Sequence, residues 1–193
     1  MLSRLAYAAR LSMLLAGLSV AAAAVAGTGL GLFAAWAGGW PDRLLAALAD
    51  SVLALPGLLL VLLLAALAPG TFWALALGLS LAAWVEWFRL SRAVEAARLL
   101  GFGWGHVLRR HVLPEIGPLL GILAALGIGN AVLAIGALGF IGVGLRPPTA
   151  EWGLMMTELL PHYAEAPVAL LAPAVCLFAL VLGLQLLSGR AAR

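Results

Sequence analysis

The sequence predicts an all-α, polytopic membrane protein of about five transmembrane helices, folded as a single domain over residues 1–193. Three observations predict it. Of the 193 residues 65% are hydrophobic, only 10% are charged, and the mean hydropathy is +1.13. A soluble domain carries roughly 25% charged residues, so a soluble enzyme, a disordered tail and a disulfide scaffold are excluded. The apolar residues fall into five runs, at 11–37, 52–68, 72–88, 116–140 and 167–187. All eleven basic residues are arginine, and most cluster beside those runs rather than within them.

The first run, 11–37, is rich in Ala and Gly and ends without a convincing cleavage site, so it reads as a retained span. At about 1.5 Å per residue it exceeds the ~30 Å hydrocarbon core, which predicts tilt or projection. The second begins near Pro56, tolerated where a helix starts because its missing N–H has no partner there. The third follows Pro69-Gly70, a tight turn, so these two spans must run antiparallel. Pro114 opens the approach to the fourth. The fifth holds Cys176, a lone cysteine that reads as a small buried hydrophobe. Trp36, Trp40, Trp73, Trp84, Trp87 and Trp152 lie near span ends, as an aromatic belt requires. Gly27/Gly31 and Gly117/Gly121 have the spacing of close helix packing, a weak signal in a chain with 23 glycines.

Alternating the connections separates the arginines. Residues 1–10, 69–71 and 141–166 hold Arg4, Arg10 and Arg146, whereas 38–51, 89–115 and 188–193 hold the other eight. Positive charge marks the cytoplasmic side, which predicts an outside N-terminus and a cytoplasmic C-terminus. Glu151, Glu158 and Glu165 in 141–166 agree; Arg4 and Arg10 dissent. The clustering beside apolar runs points to a bilayer rather than nucleic acid.

The longest polar segment, 89–115, predicts a helix over 90–100, a turn at Gly101, Gly103 and Gly105, a short helix over 106–113, and then membrane. Leu90, Ala93, Val94, Ala97 and Leu100 share one helix side, with Arg92, Glu95 and Arg98 on the other. Such an element can lie along the membrane and present itself to a partner. Glu95-Ala96-Ala97, then Gly101, then His111-Val112-Leu113-Pro114 resembles the EAA loop of binding-protein-dependent ABC transporter permeases. Arg110–Pro114 is similar to the branch that imports dipeptides, oligopeptides and nickel. Leu138-Gly139-Phe140-Ile141-Gly142-Val143-Gly144-Leu145-Arg146-Pro147-Pro148-Thr149-Ala150-Glu151-Trp152-Gly153 resembles the segment that follows in that branch. Gly38–Asp42, Ala54-Leu55-Pro56 and Leu2–Arg10 also match, so the resemblance covers nearly the whole chain.

The resemblance implies a permease subunit of an ATP-driven importer for dipeptides, oligopeptides, nickel or a similar small solute. The site residues it implies are those of the ATPase-coupling loop: Glu95, Ala96, Ala97, Gly101, His111, Leu113 and Pro114. The implied partners are ABC ATPase subunits, a second permease, an extracytoplasmic solute-binding protein and the bilayer of a bacterial plasma (inner) membrane. The chain has no Gly-x4-Gly-Lys-Ser/Thr motif, so ATP belongs to the partner ATPase and no cofactor, catalytic residue or enzyme activity is expected here. Two departures stand out. Family members carry another span before the segment that Leu2–Arg10 resembles, and a longer approach to the motif at Glu95. Ile135 also stands where dipeptide-type members often have an acid. The alternative is an ATPase-independent membrane scaffold, a secondary transporter, or a degenerate permease.

Among the remaining polar residues, His106 and His111 lack acidic or Cys partners at metal-ligand spacing. Glu158, His162 and Glu165 tempt a metal reading, but Pro161 breaks a continuous helix between them. Glu86, near a span end, reads as interfacial, and Asn130 and Gln185 as mid-span hydrogen-bonding groups. No constellation for nucleophilic or acid–base chemistry, and no metal site, is expected.

Overall fold

The computed structural model describes residues 1–92 and 113–191, with the side chains of 113–116 and 190–191 left aside. Seven α-helices make up the described chain: α1 (Leu2–Ala37), α2 (Gly39–Leu53), α3 (Gly57–Leu67), α4 (Phe72–Arg92), α5 (Leu113–Ile141), α6 (Trp152–Leu159) and α7 (Pro167–Ala191). No strand occurs among the described residues. Helices are what such a composition allows, because in hydrocarbon each backbone N–H and C=O must be satisfied within its own segment.

α1 is 36 residues long, roughly 54 Å, and so projects beyond a ~30 Å core as its length requires. α1, α5 and α7 are long and apolar enough to cross a membrane. α4 has 21 residues, roughly 31 Å, and its last turn carries Arg89 and Arg92. The run expected as one span over 52–68 is divided. Residues 52 and 53 finish α2, the chain turns at 54–56, and α3 has only 11 residues, about half the core thickness. Pro56 causes the break, since proline disfavours helical backbone in the residue before it. The α2 and α3 axes meet at 85°, and the pair counts as a broken span if it counts as one.

The central contact is α1 on α4. These helices run parallel: Ser80 Oγ donates to the Ser19 carbonyl at 3.0 Å, Gly27 lies against Trp84 and Trp87, and Gly31 lies against Phe88 and Ser91. A side chain at Gly27 or Gly31 would collide with the α4 backbone, so the first glycine pair is a packing surface. Gly117 and Gly121 meet nothing within 4 Å. α3 and α4 form the antiparallel hairpin expected from Pro69-Gly70, with Gly78 against Val61. α5 runs antiparallel to α1 and α7, placing Gly127 on Val20, Gly136 on Leu177 and Gly129 on Val181. Leu15, Val61, Leu75, Val85, Phe88, Ile135 and Leu138 are buried where these helices meet. Leu171, Val175, Phe178, Leu182 and Leu186 line the exposed side of α7, as lipid contact permits.

The tryptophans divide. Trp36, Trp40 and Trp73 are exposed near helix ends, as a belt requires, but Trp84, Trp87 and Trp152 are buried. Position along a helix places a residue at a depth; it does not place it on a face.

Candidate functional site

The bundle has two ends of different chemistry and a groove between them. At one end stand the α1 start, the α3–α4 turn and segment 141–166. Arg4 pairs with Glu158 at 2.7 Å, Trp152 Nε1 donates to the Leu5 carbonyl at 3.2 Å, and Gly70 lies against the Arg146 side chain. At the other end stand the α1 terminus, α2, the last turn of α4 and the start of α5. The connections therefore fall into the two alternating sets that the arginine count used.

The acidic end is built on backbone detail. Gly142 has φ +85°, a conformation that costs glycine little, and closes α5. The Val143 N–H donates to the Leu138 carbonyl and the Gly142 N–H to the Gly139 carbonyl, both at 3.0 Å, which is a Schellman cap. Eight residues after Val143, Glu151 caps α6, its carboxylate accepting from the Gly153 N–H at 2.8 Å and the Leu154 N–H at 3.0 Å. Glu151 is 1% exposed. Burial pushes its carboxyl above the ordinary 4.5, against the lowering by its two backbone donors. Gly139 faces this carboxylate and Gly153 faces the Gly136 carbonyl, leaving no room for a side chain at either. The glycines of 138–153 thus let a turn, a cap and a short helix lie directly on α5.

The arginine-rich end is held by charge. Arg92 pairs with Asp42 at 2.5 Å and Arg89 with Asp50 at 2.7 Å, joining the last turn of α4 to α2. Asp42 lies in the first turn of α2, and both arginines lie in the last turn of α4, so each helix dipole favours the charge it carries. The sequence reading assigned these arginines to a side of the membrane and overlooked their partners. Two acids eight apart on an amphipathic helix beside an apolar run were the available signal.

α4 ends at Arg92 and α5 starts at Leu113, so both ends of segment 93–112 emerge at this arginine-rich end. The expected site residues Glu95, Ala96, Ala97, Gly101 and His111 lie outside the described residues. Leu113 and Pro114 open α5, as the proline predicted. Glu158 and His162 are separated by the end of α6 at Leu159 and a 3-10 turn over Leu160–His162, and Glu158 is engaged by Arg4.

Between the ends, α1, α3, α4 and α5 line an open groove of about 220 Å³. Ser19, Gly57, Val61, Ala83, Glu86 and Asn130 are among its walls. Glu86, one turn before Arg89 on α4, is exposed at the edge of this groove. It faces a space lined mainly by small and aliphatic side chains.

Long, lipid-compatible helices packed through glycine, with charge concentrated toward their ends, define a polytopic helical membrane protein. Residues 27–192 match the family described as binding-protein-dependent transport system inner membrane component, and the chain belongs to that family. It is 31% identical over 196 residues to the dipeptide transport system permease protein DppC of Alkalihalophilus pseudofirmus, covering 96% of this chain and 64% of that one. It is 29% identical over 195 residues to the glutathione transport system permease protein GsiD of Pectobacterium atrosepticum, covering 96% and 65%. The chain thus spans just under two-thirds of the length of these curated relatives. In fold it is similar to a chain of the MetNI methionine ABC transporter in inward-facing form, with a TM-score of 0.74, 18% identity, and coverage of 98% of this chain and 95% of that one.

Proposed function

We propose that this chain is a membrane subunit of an ATP-driven ABC importer for peptides or a similar small solute in the bacterial inner membrane. It conducts and couples; ATP is bound and hydrolysed by partner ATPase subunits. The observation that carries the reading is the emergence of both ends of segment 93–112 at the arginine-rich end, in a chain of this family. That segment bears Glu95-Ala96-Ala97, Gly101 and His111, and leads through Leu113 and Pro114 into α5. An ATPase docked there pushes on a segment fastened to α4 on one side and α5 on the other. The arginine clustering supports a cytoplasmic location for this end, with the N-terminus outside and the C-terminus inside.

The names of the relatives favour peptide over nickel as cargo. Solute reaches the acidic end on an extracytoplasmic binding protein, and a second permease completes the path, because one coupling segment in one chain offers one ATPase contact. Copurification in mild detergent tests the partnership: an ATPase and a second permease are expected, and a chain that transports alone in liposomes would refute it. Reporter fusions at Gly70 and Ala150 are expected outside and at Gly103 inside; an inside signal at Ala150 would sink the orientation. Gly101→Asp is expected to lower ATP-driven uptake while membrane insertion persists. Unchanged uptake and copurification in that variant would mean that this loop does not couple, and would favour the degenerate-permease alternative.

A further inference from the structure

α2 presents different chemistry on each side of its axis. Asp42 and Ala49 are buried and Leu45 and Val52 half-buried where it meets α1 and α4. Both of its acids are engaged by α4, Asp42 by Arg92 and Asp50 by Arg89. Its remaining charge is Arg43, which is exposed. At 3.6 residues per turn, one exposed arc of the helix runs in the order Arg43, Ala47, Trp40, Ser51, Leu44, Leu48. Beyond that arc, Leu45 and Leu48 contribute to an apolar groove of about 450 Å³ between α1 and α4, with Ala22, Ala26, Leu77 and Leu81 among its walls.

Polarity is therefore graded across α2, from a cation through an indole and two leucines to an apolar groove. The same order is met on passing from the headgroups of a lipid leaflet to its tails. Arginine reaches to phosphate, tryptophan sits at headgroup level, and aliphatic side chains lie below. The helix also lies crosswise, its axis at 85° to α3, as an amphipathic helix in the plane of an interface does. A packed helix, about 10–12 Å across, would only lie over a groove of this volume, whereas a single acyl chain enters it.

We propose that α2 is a binding site for an anionic phospholipid. Arg43 holds the phosphate, the glycerol region lies beside Trp40, and one acyl chain passes over Leu44 and Leu48 into the groove between α1 and α4. This rests on the reading above in one respect, the placement of the arginine-rich end at the cytoplasmic leaflet, where anionic headgroups attract basic residues. A lipid held there bears on the helix that Asp42 and Asp50 tie to the last turn of α4, from which segment 93–112 departs.

The test uses the chain, purified with the proteins that accompany it, in phosphatidylcholine vesicles. The vesicles are doped with phosphatidylglycerol or phosphatidylcholine carrying a photoactivatable group in the acyl chain, and adducts are mapped by mass spectrometry. The phosphatidylglycerol probe is expected on the groove walls at 22–30 and 77–84, about fivefold above the phosphatidylcholine probe, the share of one cation near an anionic surface. Arg43→Gln should bring that ratio toward one, and Arg43→Lys should keep most of it, since a point charge serves for phosphate. High salt should lower the preference of the wild type. Leu48→Trp, which narrows the entrance to the groove, should lower labelling by both probes. Groove walls free of adducts while the outward face of α7 is labelled would give the groove to another occupant, such as a second permease, and overturn the proposal. Equal labelling by the two probes, or a preference that Arg43→Gln retains, overturns it too. The readout needs neither uptake nor ATP, and the probes reach both leaflets. Loss of the site therefore leaves the importer standing, and an Arg43-dependent groove in a complex that takes up no peptide removes the importer reading and leaves the lipid site.

Discussion

The two ends of this molecule are fastened by opposite means. At the acidic end, α5, α6 and segment 141–151 meet backbone to backbone, with Gly139, Gly144 and Gly153 removing every side chain that would keep them apart. At the arginine-rich end, α2 is held to α4 by Arg92–Asp42 and Arg89–Asp50, with no close contact at Gly39 of α2, while α1 lies against the same stretch of α4 through Gly31. Close packing has a steep distance dependence and resists displacement. Ion pairs at a surface are weak, screened, and can lengthen gradually. Under the coupling proposed above, the end that receives a push would be better served by the second arrangement.

The largest effect is expected where the packed end has no slack. A Cβ at Gly153 would run into the Gly136 carbonyl and the Phe140 amide, both backbone atoms that cannot rotate away. Gly153→Leu should therefore destabilise the bundle by about 3 kcal/mol, the upper part of the range for overpacking. Gly121→Leu, where nothing lies within 4 Å, should change little. Thermal unfolding in detergent compares them; equal melting temperatures would mean that the acidic end is not packed as described. Gly31→Leu should fall near Gly153→Leu, since it drives α1 off the Phe88 carbonyl.

The packed end also carries a carboxyl whose surroundings shift it, Glu151. Glu151 is held above its ordinary 4.5 by burial, so the folded state keeps its proton to higher pH than the unfolded chain does. Its contribution is therefore fully present below about pH 4.5 and is lost as pH rises through the raised value. Glu151→Gln should remove this part of the pH dependence while keeping an oxygen to cap α6, and Glu151→Ala should cost about 1 kcal/mol more through loss of the cap. Melting curves across pH 4–8 read both; a wild-type profile that rises through that window where Glu151→Gln is flat would reverse the assigned sign.

The sequence disclosed the packed end only as a motif. The run Leu138–Gly153 was legible as a resemblance, but which glycine serves φ and which serves approach depends on α6 folding back over α5, and that follows from a long-range contact. Spans were legible because length and hydropathy are local. The break at 54–56 was half legible: Pro56 marked a helix start, yet the apolar residues on both sides hid that α3 would be too short to cross. Trp84, Trp87 and Trp152 were assigned to a belt by depth, and α1 and α6 decided their faces. Glu86 was placed near a span end by counting, while the groove beside it is made by four helices from distant parts of the chain. Segment 93–112 was the most informative stretch of sequence and lies outside the described residues, so the coupling role proposed for it rests on its motif and on where α4 and α5 begin and end.

The smallest effect on stability is expected at the electrostatic end, where it is also the most informative about mechanism. Arg89 and Asp50 have side chains 58% and 67% exposed, so Arg89→Ala should cost no more than ~0–1 kcal/mol. Arg92 and Asp42 are more enclosed, at 34% and 11%, and breaking that pair should cost somewhat more. If these pairs merely hold α2 in place, function should track stability and Arg92→Asp should be a mild variant. If α2 must follow the end of α4 when segment 93–112 is pushed, Arg92→Asp should uncouple ATP hydrolysis from uptake well beyond its effect on melting. The double exchange Arg92→Asp with Asp42→Arg restores the attraction but reverses both charges against the helix dipoles. It should therefore recover coupling in part. Uptake per ATP hydrolysed, measured beside the melting temperature for both single variants and the exchange, decides the matter: no recovery in the exchange would mean that each residue acts alone, and that the weak fastening of this end is not what transmits the push.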